Sequence, residues 1–259
     1  MKVLVTGAFG SLGSAFTKFF LDRGDSVVGL DNNEWAVASY PEHPNLKKML
    51  RDFSNVKGDY DLIVHCAAYK HVDLIESNRE EARFNNVDKT RFLYAKVTGQ
   101  VLFVSTDKAV DPCSFYGLTK QEGEQLTLER GGVVLRLGNI LSSRGSVIPK
   151  WEDALEKGEP LLVTDFRMKR WLISAEEAVA KAMYLLPRAK AGDTIIPSLG
   201  DPVSLREMLD RVLTAHGKPL DYPTKEIGLR PGERLEEKLL RDDEEIIYDG
   251  KNGIIARRR

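Results

Sequence analysis

The chain has 259 residues, enough for one dinucleotide-binding unit with a small lobe attached. Its 38 basic and 39 acidic residues leave a formal net charge of −1, which gives no sign of a nucleic-acid or membrane partner but leaves room for a local anion pocket. Two cysteines, Cys66 and Cys113, exclude a disulfide scaffold, and no apolar run approaches the roughly 20 residues of a bilayer span. Because a strand is predicted from residue 2 onward, no signal peptide is expected and the cytoplasm is the expected location. His43, His65, His71 and His216 show no ligand-like spacing, so no metal site is expected.

In chain order, short Val/Ile/Leu-rich runs alternate with amphipathic stretches of helical length, the pattern of a parallel sheet covered on both faces. Strands are predicted at 2–6, 26–31, 46–51, 62–66, 101–105 and 133–137, with helices at 12–23, 73–97 and 116–130. Right-handed crossovers then predict an α/β, doubly wound, Rossmann-type sheet of order 3-2-1-4-5-6 with ligands at the carboxyl ends of the strands. After Gly138 the pattern becomes irregular, with Pro149, Pro160, Pro202, Pro223 and Pro231 spacing short elements. The expected division is a dinucleotide-binding domain at 1–138 plus about 172–196, and a substrate lobe at 139–171 and 197–259.

Directly after the first strand come Gly7, Ala8, Phe9, Gly10, Ser11, Leu12 and Gly13, followed by the first helix. Without Cβ atoms, Gly7 and Gly10 can turn tightly and let the backbone approach a pyrophosphate at the helix N-terminus, while Gly13 lets the helix lie close to the strands. The second strand ends at Asp31, where a carboxylate can bind an adenosine ribose and repel a 2′-phosphate. Cofactor contacts are therefore expected from Gly7, Phe9, Gly10, Ser11, Leu12, Gly13, Asp31 and Asn32, with NAD favoured over NADP. Asp52 and Phe53, just past the third strand, are placed to reach the adenine; a plain turn aspartate is the alternative.

Tyr116 and Lys120 stand one helical turn apart on one face. A fixed positive charge, joined by that of an oxidised nicotinamide, favours the phenolate, so Tyr116 could accept a hydroxyl proton as hydride leaves. Thr106, Asp107 and Lys108 close the fifth strand, at the edge where such sheets keep their sites.

These runs carry a resemblance. TGAFGSLG, DNNEW, HCAAYKHVDLIESNREEARFNNV, VSTDKAVDPCSFYGLTKQEGE, RLGNILSSRGSVIP, RMKRWLISAEEAV and GLRPGERLEEKLL follow one another as in the extended short-chain dehydrogenase/reductases. Within them the chain resembles the polysaccharide-biosynthesis, CapD-like group of inverting UDP-N-acetylglucosamine 4,6-dehydratases, over nearly its whole length. The resemblance implies loss of water across positions 5 and 6 of a UDP-linked hexose, giving a 4-keto-6-deoxy sugar. It implies Tyr116 as the base for hydride transfer, Lys108 as the base at position 5, Asp107 as the acid for the leaving 6-hydroxyl, and Thr106 as a hydrogen-bond partner of the sugar. Retaining dehydratases of related type carry glutamate where this chain has Lys108. That assignment needs a neutral amine beside a protonated acid, a pair that burial favours over the ion pair.

The resemblance further implies that Ala67 and Ala68 lie against the cofactor, Lys70 against cofactor or substrate, and Asn86 at a turn or a water. For the UDP-sugar it implies Arg170 and Arg230 on the diphosphate, Glu233 on the uridine ribose, and Asn139, Ser146 and Val147 on phosphates or base. Arginine's planar fork suits a diphosphate better than a lysine point charge. Larger members carry N-terminal membrane helices and often methionine at the tyrosine position, and this chain has neither. Shorter members commonly show a serine-arginine pair for NADP where this chain has Asp31 and Asn32. The helices at 73–97 and 116–130 are expected to pair across a two-fold axis in a homo-oligomer. A UDP-hexose epimerase and a non-catalytic dinucleotide-binding sensor are the competing readings.

Overall fold

The computed structural model describes residues 1–141, 143 and 145–259. Six parallel strands form its base: β1 (Lys2–Thr6), β2 (Ser26–Asp31), β3 (Leu46–Leu50), β4 (Gly58–His65), β5 (Val97–Thr106) and β6 (Val133–Leu137). They lie in the order β3-β2-β1-β4-β5-β6, as the alternation of strands and helices predicts. In the central strands the Val/Ile/Leu runs are buried on both faces, as a helix-covered parallel sheet requires, whereas the edge strand β3 leaves Lys47 and Leu50 exposed. On one face α1 (Ser11–Asp22) packs Phe16 and Phe20 against Val3, Val5 and Val27. Burying each such ring contributes about 1.5–3 kcal/mol. Beyond a short α2 (Glu34–Ser39), the other face is covered by α3 (Val72–Ser77), α4 (Arg79–Arg83), α5 (Lys89–Tyr94) and α6 (Phe115–Glu129), with Leu93, Tyr94 and Phe103 at its centre.

The helix read as continuous over 73–97 is broken. Asn78 leaves helical geometry with φ −137° and ψ 50°, and Phe84–Asp88 form a π-helical turn between α4 and α5. That turn faces Asn85 and Asn86 inward, where Asn86 bonds the Tyr69 loop and Asn85 accepts from Lys89 of α5. The chain is already in β5 at Val97.

Beyond β6, β7 (Asn139–Ile140), α7 (Val147–Lys157), β8 (Leu161–Val163), β9 (Lys169–Arg170) and β10 (Leu172–Ile173) lead to α8 (Ala175–Leu185), which packs beside α1. β11 (Thr194–Pro197) extends the main sheet in parallel next to β6. β12 (Val203–Ser204), α9 (Leu205–Ala215) and β13 (Thr224–Glu226) then join α7 and β8 around a separate core of Trp151, Leu155, Leu161, Met208 and Leu209. The expected lobe boundary needs one correction. β14 (Glu244–Gly250) and β15 (Gly253–Arg258) return to the nine-stranded sheet as an antiparallel pair beside β11, because Ile255 and Ala256 alternate into its core rather than into the lobe. Among the described residues no helix is long and apolar enough to cross a membrane.

Candidate active site

A groove of about 800 Å³ runs along the carboxyl ends of β1, β2, β4 and β5, lined by Gly7, Gly10, Ser11, Leu12, Gly13, Asp31, Asn32, Phe53, Ala67, Ala68, Lys70, Tyr116 and Lys120. Gly7 has φ +61°, and a Cβ there would stand 2.9 Å from the Ala67 nitrogen. A Cβ on Gly13 would stand 1.9 Å from the Gly7 carbonyl oxygen, so α1 can approach β1 this closely only through glycine. Gly10 caps α1 without a side chain, leaving first-turn N–H groups for an anion. Asp31 stands at the groove, its carboxylate accepting from the Phe9 amide at 3.3 Å and the Asn33 amide at 3.0 Å.

Two expected contacts fall elsewhere, and Asn86, expected at a turn or a water, holds a turn. Phe9 turns its ring into the core against Tyr40, so only its backbone belongs to the loop. Asp52 accepts from the Ser54 amide and hydroxyl and pairs with Lys89 at 2.7 Å; it caps a turn behind the groove wall formed by Phe53. Asn86 is buried, its amide accepting from the Tyr69 N–H at 2.8 Å and donating to the Tyr69 carbonyl at 3.0 Å, which fixes the loop rather than reaching a ligand.

A second cavity, of about 650 Å³, opens between the sheet and the lobe and is lined by Asn139, Ser146, Val147, Arg170, Arg230 and Glu233. The two share a common wall that includes Lys70, His71, Lys108, Asn139 and Ser146. Arg230 lies 3.8 Å from Asp73, and Glu233 accepts from the Arg230 amide at 3.0 Å. Arg170 is buried and spends its guanidinium on the carbonyls of Lys169, Arg234 and Leu235, so it braces the 230–237 loop as well as lining the cavity.

At the junction, Lys108 Nζ donates to Asp107 Oδ1 at 2.9 Å and to Asn139 Oδ1 at 3.3 Å. The Asp107 side chain is 0% exposed, and its Oδ2 has no hydrogen-bond partner among the described residues. Tyr116 does not meet the expectation of a lysine-stabilised phenolate from the chain alone. Burial first, then the charge of Asp107, push its phenol upward, against the hydrogen bond with Thr106. Lys120 is buried with Nζ 4.0 Å from the centre of the Phe103 ring. Burial lowers its ammonium to about 8, although Glu124 and Cys66 act in the opposite sense. Among the described residues this ammonium makes no hydrogen bond, so a polar ligand in the groove would satisfy it. The glycine cradle and this unpartnered donor together fit a dinucleotide.

Two features were not read from the sequence. Glu237 lines the second cavity 3.7 Å from Lys108 Nζ, and burial, partly offset by Lys108, raises its carboxyl above the ordinary range. Arg51 lines the groove beside Asp31, just beyond β3. The arginine before Asp52 was visible in the sequence, but nothing local singled it out. Glu237 is 129 residues beyond Lys108 in the chain, and no pattern links them.

Sheet order, glycine cradle and joined cavities define a Rossmann-fold protein of the kind found among sugar-nucleotide epimerases and dehydratases. The solved structure of Pen from Bacillus thuringiensis matches 99% of this chain and 88% of its own with TM-score 0.87 and 25% identity. That of DesIV, a dTDP-glucose 4,6-dehydratase from Streptomyces venezuelae with NAD bound, matches 93% and 88% with TM-score 0.81 and 23% identity. The chain belongs to the family described as polysaccharide biosynthesis protein, which matches residues 3–256. An uncharacterized membrane protein of Methanocaldococcus jannaschii is 34% identical over 93% of this chain and 81% of its own length. The UDP-N-acetylglucosamine 4,6-dehydratase (inverting) of Campylobacter jejuni is 28% identical over 97% and 81%. The chain spans only 48% of the capsular polysaccharide biosynthesis protein CapD of Staphylococcus aureus, at 31% identity.

Proposed function

We propose that this protein is a UDP-N-acetylglucosamine 4,6-dehydratase of the inverting type, with NAD in the larger groove and the UDP-sugar in the lobe cavity. The observation that carries the reading is Lys108 in the wall common to both cavities, 2.9 Å from a fully buried carboxylate. An epimerase would use Tyr116 and Lys120 but would leave that pair without a task. A bound nicotinamide supplies hydride acceptance at the sugar's position 4 and its return at position 6.

The chain's own residues do the rest. Tyr116 takes the proton of the 4-hydroxyl, with Lys120 and the cationic cofactor offsetting the burial that otherwise holds the phenol neutral. Thr106 holds the oxygen at position 4. Lys108 removes the hydrogen at position 5, made acidic by the neighbouring ketone, and Asp107 gives its proton to the departing 6-hydroxyl. Position 5 then takes a proton on the opposite face, equivalent to the one Tyr116 accepted from the 4-hydroxyl, and the lysinium returns its own proton to the Asp107 carboxylate across 2.9 Å, restoring every group without net redox change. Arg230 and Ser146, in the wall of the lobe cavity, would hold the diphosphate, and Arg170 keeps the 230–237 loop in place.

Incubation with UDP-N-acetylglucosamine, followed by mass spectrometry and proton NMR, tests this directly. A product lighter by one water, with inverted configuration at position 5 and no lasting NADH absorbance, is expected. An isomer of unchanged mass would make the protein an epimerase.

A further inference from the structure

The dehydratase reading leaves Glu237 without a role, yet its side chain is 3% exposed and lies in the wall of the sugar cavity. Its place is fixed by its neighbours. The Trp171 indole donates to its carbonyl at 3.2 Å, the Lys169 amide donates to Leu235, and Arg170 donates to the carbonyls of Arg234 and Leu235. Among the described residues neither carboxylate oxygen receives a hydrogen bond. The nearest cations are Lys108 at 3.7 Å and Arg234 at 3.9 Å, and each already has a closer acid: Asp107 at 2.9 Å and Asp111 at 2.9 Å respectively. Arg170, the remaining cation nearby, is turned to backbone carbonyls. A buried acceptor held this firmly without a donor calls for a function.

We infer that Glu237 is a specificity-determining residue that selects a hexose uncharged at position 6 and turns away the corresponding uronate. The inference rests on the reading that places positions 5 and 6 of the sugar beside Lys108. A 6-hydroxyl there can donate to the Glu237 carboxylate, whereas a 6-carboxylate would set a second negative charge beside Glu237, with the Lys108–Asp107 pair net neutral and offering no compensating charge. Discrimination of this kind comes from a repulsive element rather than from tighter contacts to the preferred ligand. At a few ångströms and partial burial, one like charge is worth about tenfold or more in affinity.

The test is calorimetric titration, at about pH 8, of NAD-loaded protein with UDP-N-acetylglucosamine and with UDP-N-acetylglucosaminuronate, which differ only at position 6. The wild type is expected to bind the neutral sugar at least about tenfold more tightly. Glu237→Gln keeps the shape and removes the charge, and is expected to gain uronate affinity until that ratio shrinks about tenfold. Glu237→Asp, which retains the charge, is expected to keep most of the ratio and serves if the Gln variant melts early. A wild type that binds both ligands equally, or neither, overturns the inference, as does an unchanged ratio in Glu237→Gln. Binding is read apart from turnover. Discrimination without water loss from UDP-N-acetylglucosamine would therefore sink the dehydratase reading and leave the selection standing.

Discussion

Arg136 is the penultimate residue of β6 with a side chain 0% exposed, an expensive place for a charge. It is held by two acids: Nε and Nη2 donate to Glu124 at 3.0 and 2.8 Å, and Nη1 and Nη2 donate to Glu244 at 2.8 and 2.9 Å. Burial by itself would raise the Glu124 carboxyl, but Arg136 and Arg241 hold it below the usual range. Arg136→Met fills the space and leaves both carboxylates buried. Removing one partner of such a pair costs about 3–5 kcal/mol. The lower end is expected, about 3 kcal/mol, because Arg241 still donates to Glu124 at 2.8 Å. At about 2–4 °C per kcal/mol for a chain of this size, Tm should fall by about 6–12 °C in a thermal melt followed by circular dichroism. Adding Glu124→Gln and Glu244→Gln removes the stranded charges and should recover at least half of that loss. A single variant melting within about 2 °C of the wild type, or a triple variant no better than the single, would refute the claim that stranded charge is the cost.

Lys108→Ala should abolish water loss from UDP-N-acetylglucosamine while NAD affinity stays within about threefold, since the fixed elements of the groove are its glycines and Asp31; unchanged turnover removes Lys108 as base. Asp31→Ser removes the carboxylate beside the groove while leaving the Arg51 guanidinium in the same wall, so NADP affinity should rise about tenfold, read by fluorescence titration; no gain would mean Arg51 cannot reach a 2′-phosphate. His65 is buried between Thr6 and Thr90, and burial lowers it to about 3 from an ordinary 6.5. Because the folded value is the lower one, the unfolded chain binds the extra proton, and stability is constant above pH 6.5 but falls by about 1.4 kcal/mol per unit as pH drops towards 3. Urea midpoints at pH 7, 6 and 5 for wild type and His65→Gln should diverge in that window; parallel curves would rule His65 out.

What could be read in advance depended on how local the physical constraint is. The glycine loop, Asp31 and the Tyr116–Lys120 spacing are legible because each requirement lies within one turn of chain: absence of a Cβ, a strand end, a helical repeat. Phe9 and Asp52, each just past a strand end, have the right chemistry but point the wrong way. Phe9 was drawn into a ring contact with Tyr40, Asp52 to a turn amide and Lys89, and Asn86 to the Tyr69 loop. Their directions are set by partners 17 to 37 residues away for Asn86 and Asp52, which no local pattern encodes. The break at Asn78 escaped because the spacing of apolar residues continues through it, and a π-helical turn at 84–88 has no compositional mark. Glu237 and the Arg136–Glu244 pair, 108 residues apart, are products of the fold alone.

The return of the chain to the sheet has a consequence for how such proteins diversify. Ser198 leaves β11 and Asn252 re-enters at β15 with only a 3.0 Å N–H···O bond between them, so the 55 residues from one to the other form a closed excursion whose two ends meet. A module bounded in this way can be exchanged for another of different length while the parallel strands keep their register. A different lobe can thus be grafted onto an unaltered parallel sheet, and the cost of a failed graft is confined to the lobe and the edge pair of strands.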